Sequence, residues 1–398
     1  MILLAALALL LDEPELPPCV AQLQTEPSAC DSAIATENNR RVKARLLLRR
    51  AYMRNEKYQY EEALKDLDAA VAADPAYGVA WHERSYTHGE LRAFAQALAD
   101  SDRDVALRPG EADAYRERAF ARHGLADFSG ELEDRSKVAA LEPKKPDSRI
   151  ARGRAALWLG RFDEARADAA EGLTLAQAAG DSNGAAKARA LQTDITLWTT
   201  RSGVADPEAA CRQSDKTGRF GMAGLIGDCT AAFLAAKTPR ARAELLTIRA
   251  LAFLVAARDQ AAAIDDQAIA VALDPGEGDW HANLGGSYVM ARHSWAGKRE
   301  LDIAIGLKDN WGARAERAAA RYNLKDYDGA AADAKKSIEM QPNDVALVVL
   351  GDLARDRGDK GSAKLYWMTA YRLGERDDDL LTRLKGVGVD DPEKEAKR

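Results

Sequence analysis

Four cysteines stand in a chain of 398 residues, and they come in pairs, Cys19 with Cys30 and Cys211 with Cys229. Thiols this scarce suit metal ligation or oxidation to a disulfide. Cysteine metal sites use C-x-x-C spacings or a nearby histidine, and neither pair has them. The stretches "ACDSAIAT" and "DCTAAFLA" each read as a helix start, with the first cysteine of the pair on a preceding short helix. Antiparallel helices joined by a tight turn bring such side chains within disulfide reach. Disulfides Cys19–Cys30 and Cys211–Cys229 are therefore expected, with buried free thiols as the alternative.

Other reactive patterns are missing from the sequence. There is no G-x-S-x-G, no H-E-x-x-H, no phosphate loop and no dinucleotide-binding glycine fingerprint. His82, His88 and His123 lack a ligand-like spacing, and Tyr86 stands where a zinc helix begun by His82-Glu83 would need its second ligand. No catalytic residues, cofactor or metal are expected. In "TGRFGMAGLIGDC" the glycines Gly218, Gly221, Gly224 and Gly227 read as close backbone approach rather than a binding loop.

The elements that hold the cysteines are helical. Charged residues make up 30% and aromatics 6%, with alanine in almost every apolar segment, a mixture that favours helix. Acids and bases alternate, the net charge is −6, and no basic stripe suggests nucleic acid. No apolar run is long enough to span a membrane; "ILLAALALLL" fits the apolar core of a secretory signal over residues 1–15.

Pro75, Pro109 and Pro143 recur every 34 residues and close similar units: "YEEALKDLDAAVAADP", "FAQALADSDRDVALRP", "FSGELEDRSKVAALEP". Each follows another amphipathic run, such as "VAWHERSYTHGEL". Trp81 and Tyr115 lead these runs, Ala51, Ser85, Ala119 and Gly153 supply small residues, and so do Ala63, Ala97 and Ala165, with Glu131 departing from that pattern. With two helices per 34 residues, the chain resembles the tetratricopeptide repeat family from about Ala44 to Gly374. The resemblance implies an all-α solenoid of helix-turn-helix repeats wound as a right-handed superhelix. A longer period of 199 relates Cys30 to Cys229, Arg50-Ala51 to Arg249-Ala250 and Asp127-Phe128 to Asp326-Tyr327. The expected organisation is a tandem duplication. Residues 16–203 and 204–389 each carry a cysteine hairpin, about four repeats and a closing helix, and residues 390–398 form a charged, solvated tail.

Two columns follow the period. Arg50, Arg84, Arg118 and Arg152 each precede by 16 residues Asp66, Asp100, Asp134 and Asp168, and Arg249/Asp265 and Arg317/Asp333 repeat the relation. Six copies suit structural ion pairs across each hairpin, with guanidinium matched to carboxylate. The second column is Tyr52, Tyr86, Phe120 and Arg154. The family resemblance places this face in a concave, peptide-holding groove, with Arg45, Arg49, Asn55, His82, Arg116 and His123 around it. Rings and arginines make binding hot spots, and the cations suit an acidic segment or a chain-terminal carboxylate. The family's Lys/Asn carboxylate clamp is not reproduced. The alternative is that the rings merely pack between helices. The expected function is a non-enzymatic protein-binding scaffold, exported and periplasmic. The alternatives are an envelope module that makes contacts through its outer helices, or a cytosolic adaptor.

Overall fold

The computed structural model describes residues 26–217 and 224–396. The leader region 1–15 and Cys19 lie outside them, as do Gly218 and Gly221. The described residues form helices and turns, with no strand among them. They divide into two compact units, Met1–Thr196 and Leu197–Arg398.

In the first unit a short helix α1 (Asp31–Thr36) precedes four helix hairpins: α2 (Arg40–Asn55) with α3 (Tyr60–Ala73), α4 (Gly78–Glu90) with α5 (Phe94–Leu107), α6 (Ala112–Gly124) with α7 (Phe128–Leu141), and α8 (Pro146–Trp158) with α9 (Phe162–Ala178). Helix α10 (Ser182–Thr199) follows and carries the boundary between the units. In the second unit α11 (Pro207–Thr217) and α12 (Leu225–Ala235) precede four more hairpins. These are α13 (Pro239–Ala252) with α14 (Gln260–Leu273), α15 (Gly278–Met290) with α16 (Ser294–Leu307), α17 (Trp311–Asn323) with α18 (Tyr327–Met340), and α19 (Asp344–Asp356) with α20 (Lys360–Leu373). Helices α21 (Asp378–Gly386) and α22 (Pro392–Ala396) end the chain.

Each hairpin turns the same way. Tyr58, Arg92, Ala126 and Gly160, spaced by the period, all have positive φ. The next amide donates back across the turn, as from Gln59 to Arg54 O, Ala93 to His88 O and Asp127 to Arg122 O. This is the left-handed helix stop that glycine normally supplies, and three of the four turns hold it with a side-chain-bearing residue. Small residues let the two helices meet: Ala51, Ala63 and Ala119 are fully buried. A Cβ on Gly153 would lie 2.8 Å from Leu191 Cδ2. Glu131, the exception in this pattern, is buried against His123, whose Nδ1 lies 2.7 Å from its carboxylate. The leading aromatic residue ties each hairpin to the preceding turn: Trp81 Nε1 donates to Pro75 O at 3.0 Å and Tyr115 OH to Pro109 O at 3.2 Å. His281 takes this place in the second unit, its Nε2 3.1 Å from Pro275 O.

The arginine and aspartate columns meet within each hairpin. Arg50 Nε and Nη2 donate to the two oxygens of Asp66 at 2.9 and 2.5 Å, and Arg84 does the same to Asp100 at 2.9 and 2.6 Å. Arg118 binds Asp134 at 3.0 and 2.7 Å, Arg152 binds Asp168, and Arg317 binds Asp333 at 2.7 Å through both nitrogens. A second side chain one turn on shares the acceptor: Arg54 on Asp66, His88 on Asp100, Arg122 on Asp134 and Arg321 on Asp333. The remaining guanidinium nitrogen reaches back to the element before, from Arg50 to Asp31, Arg84 to Asp68, Arg118 to Asp102 and Arg317 to Asp302. Each of these four arginines therefore closes its own hairpin and clamps it to its predecessor.

One expected pair differs. Arg249 binds Asp266, at 2.8 and 2.7 Å, and not Asp265. A π-helical turn over Phe253–Ala257 adds one residue between them, and such a turn advances the register by one. Arg249 is fully buried, donates to Thr230 Oγ1 at 2.9 Å, and lies over the Trp198 ring at 3.9 Å.

Beside Thr230, Cys229 on α12 is bonded to Cys211 on α11, with Cα atoms 5.0 Å apart. Gly224 has a φ of 79°, and a Cβ on Gly227 would fall 2.0 Å from Thr200 O, so both glycines serve close backbone approach. Cys30 is buried among Ile34, Ala44 and Leu46; its expected partner Cys19 is outside the described residues. In the terminal segment, α22 has no buried residue, and it is joined to α20 by Lys364 paired to Glu395 at 2.6 Å, with Ala396 against the cluster that includes Leu380 and Leu384.

Two outcomes are expected from urea unfolding. Asp134→Ala leaves Arg118 and Arg122 without their shared acceptor and destabilises the protein by about 3 kcal/mol, while Glu133→Ala at the exposed neighbouring site changes stability by under ~0.5 kcal/mol. Equal midpoints for the two variants would remove the ladder's structural role. Cys211→Ser/Cys229→Ser opens a loop of 18 residues and lowers stability by about 3 kcal/mol; an unchanged midpoint would contradict the staple.

Candidate functional site: the first-helix face of the first unit

Successive first helices pack directly on one another, α2 on α4 and α4 on α6. Their shared face carries the ring column. Tyr86 and Phe120 keep 36% and 39% of their surface exposed, enough for a partner to cover. Phe120 lies over α4, where a Cβ on Gly89 would meet its Cε1 at 2.7 Å, and its ring meets that of Phe94 edge-on at 5.8 Å. Tyr52 is half-buried. Burial, together with the Glu83 carboxylate to which it hydrogen-bonds, holds its phenol well above the usual range. Arg154 is exposed and paired with Asp194 at 3.5 Å.

The polar residues expected around the rings divide differently. Asn55 is buried between hairpins, where its Nδ2 donates to Glu83 Oε1 and Thr87 Oγ1, both at 2.9 Å. His82 is buried with Nδ1 3.2 Å from Asp104, which also receives Arg108 at 2.6 and 2.7 Å. Burial lowers the His82 pKa, but Asp104 outweighs it and the net shift is upward. His123 is held by Glu131 and stands edge-on to Trp158 at 5.6 Å. Arg116 is paired with Glu142, whose carboxyl is held well below the ordinary range despite partial burial. Arg45 is half-buried near Tyr77, and Arg49 is buried with its Nε unpaired. Asn55, His82 and His123 are thus joints between helices, and Arg116 and Arg154 already hold carboxylates.

What the sequence reading passed over is a glutamate column. Glu83, Glu117 and Glu316 each precede a ladder arginine, in "HER", "RER" and "AER", and that recurring Glu-Arg pair was the signal. Glu83 is buried, and burial pushes its carboxyl up to about 7 against the opposing effects of Asn55, His82 and Tyr52. Glu117 is raised by burial too, and it makes no hydrogen bond or ion pair. Tyr86 stands among these acids: burial, then Glu90, Glu83 and Glu117, push its phenol up to about 12. In the second unit Glu316, raised by burial, lies over Gly286, whose added Cβ would meet its Cδ at 3.5 Å. That face otherwise presents Gly286 and Ala319 and has no rings at the equivalent positions. Among the described residues no group of three or more acids, cysteines or histidines is placed to hold a metal, and no described helix is long and apolar enough to cross a membrane.

The period, the hairpins and the small-residue contacts make each unit an α-solenoid of helix hairpins that resemble tetratricopeptide repeats. No protein-family model matches the chain, and no curated protein sequence does. Three solved structures are similar to it at low identity. A tetratricopeptide repeat protein from Parabacteroides merdae has 13% identity over 86% of this chain and 98% of its own, with a TM-score of 0.32. Yeast Tom70 has 11% identity over 89% and 96%, with a TM-score of 0.32. The Cut9–Hcn1 hetero-tetramer structure matches at 12% identity over 88% and 77%, with a TM-score of 0.38. The repeat assignment rests on this chain's own hairpins.

Glu83 gives a pH test. Its carboxyl takes up a proton more readily in the folded chain than in the unfolded one, so folding stability falls as pH rises from about 4.5 to about 7. Glu83→Gln still accepts from Asn55 and lacks the titration. Its stability relative to wild type should rise across that window by up to ~3 kcal/mol, measured by urea unfolding at several pH values. A difference that stays flat with pH would contradict the burial argument.

Proposed function

We propose that the chain is a non-enzymatic protein-interaction scaffold that holds an extended segment of a partner along the first helices of the first unit. The observation that carries this reading is the pair of exposed rings, Tyr86 and Phe120, aligned by the period on touching helices. Interfaces concentrate their energy in such aromatic anchors, and a framework fixed by buried ion pairs presents them with little ordering cost on binding. The mechanism is binding alone. An exported, oxidising location is part of the proposal, supported by the Cys211–Cys229 disulfide.

A second reading has its own observation. On the second helices of the second unit Ile303, Leu307, Met340 and Leu365 are exposed, Leu365 by 62%. A structural envelope module would use these outer helices.

Capture of partners by full-length protein from native extract separates the two. Tyr86→Ala/Phe120→Ala, at unchanged helicity, is expected to lose the captured partner, and Leu365→Ser to keep it. The reverse pattern would favour the outer-helix module.

A further inference from the structure

Several basic groups of this face are already engaged, while one of its carboxylates, Glu117, is not. Arg116 is bound to Glu142, Arg154 to Asp194, His82 to Asp104 and His123 to Glu131. Glu117 is largely enclosed and has neither hydrogen bond nor ion pair, although an uncompensated carboxylate in such a place costs stability. It sits within electrostatic reach of His82 and Arg135, and of Asp113 and Glu90. His82 is already engaged, and Arg135 lies against Glu131 at 3.5 Å. The exposed Tyr86 ring is within electrostatic reach of Glu117, Glu83 and Glu90, and the exposed Phe120 ring lies about one turn on from Glu117 along α6. Carboxylates around an open aromatic face form a receptor for an organic cation, with charge at the rim and the ring's negative face below.

Resting on the groove reading above, we infer that the corner of Tyr86, Phe120 and Glu117 receives a positively charged side chain, a Lys or Arg of the partner's extended segment. The partner segment is thus basic where it crosses the second and third hairpins. Arg49, one repeat earlier in the same column, is a cation with an unpaired Nε, so the cationic preference does not extend to the first hairpin. Glu316 in the second unit is also without a hydrogen bond or ion pair, but it stands opposite Gly286, and Gly286 and Ala319 hold the positions of Tyr86 and Phe120 there. It serves as an internal comparison.

The test uses the full chain and short fluorescent Gly/Ser peptides bearing Arg, Gln or Glu at alternate positions, followed by anisotropy. The Arg peptide is expected to bind most tightly, and about tenfold more weakly to Glu117→Gln and to Tyr86→Ala. Glu316→Gln is expected to bind it as wild type does. Glu117→Gln should melt no lower than wild type, because its carboxylate accepts no hydrogen bond in the fold and its burial is unfavourable; a purely structural residue would not lose binding while keeping stability. An Arg peptide that binds no better than the Gln peptide, or equally well to Glu117→Gln, overturns the inference. A preference for the Glu peptide that is lost in Tyr86→Ala/Phe120→Ala overturns the cationic corner while leaving the groove standing. Binding of any peptide that is indifferent to the rings sinks both.

Discussion

A bidentate arginine–aspartate pair repeated down the array is the interaction on which the remaining structure depends. Asp66, Asp100, Asp134, Asp168, Asp266 and Asp333 are each buried to 3% exposure or less, where a lone carboxylate would be costly. Two hydrogen bonds from one guanidinium, with a further arginine in three cases and a histidine in a fourth, offset that cost. At five of the six, the same arginine reaches the element before, at Arg249 through the Thr230 hydroxyl. Repeat proteins are stabilised by each unit and its contact with the next; here one side chain contributes to both. At Arg249 a hydroxyl and three aromatic rings surround the guanidinium, beside the disulfide.

The ladder also decides what the other face of each first helix can do. With the hairpin interior closed by Arg–Asp pairs, the residues beside those arginines are free to differ between the units. The first unit places Tyr86, Phe120, Glu83 and Glu117 there. The second keeps Glu316 and replaces the rings with Gly286 and Ala319. The same scaffold thus carries one face with aromatic anchors and one without.

Much of this was legible in the sequence because a repeat turns position into geometry: residues 34 apart share an environment, so Arg50 and Asp66 could be paired with no structure in view. The reading failed where local geometry breaks the period. The π turn at Phe253–Ala257 moved the partner of Arg249 from Asp265 to Asp266, and no residue type announces such a turn. It failed again where burial, rather than position, sets the role. Asn55, His82 and His123 lie on the expected face but are turned into the joints between helices. The glutamates were hidden by their neighbours, since each adjoins an arginine that explained the recurrence by itself.

Site-specific photo-crosslinking tests the central claim most directly. A benzoylphenylalanine placed at Phe120, and separately at the exposed outer-helix site Glu133, would be irradiated with native partners present and the linked peptides sequenced. The account predicts adducts at Phe120 to one recurrent segment containing Lys or Arg, and none at Glu133. Adducts confined to Glu133, or an acidic segment at Phe120, would contradict it.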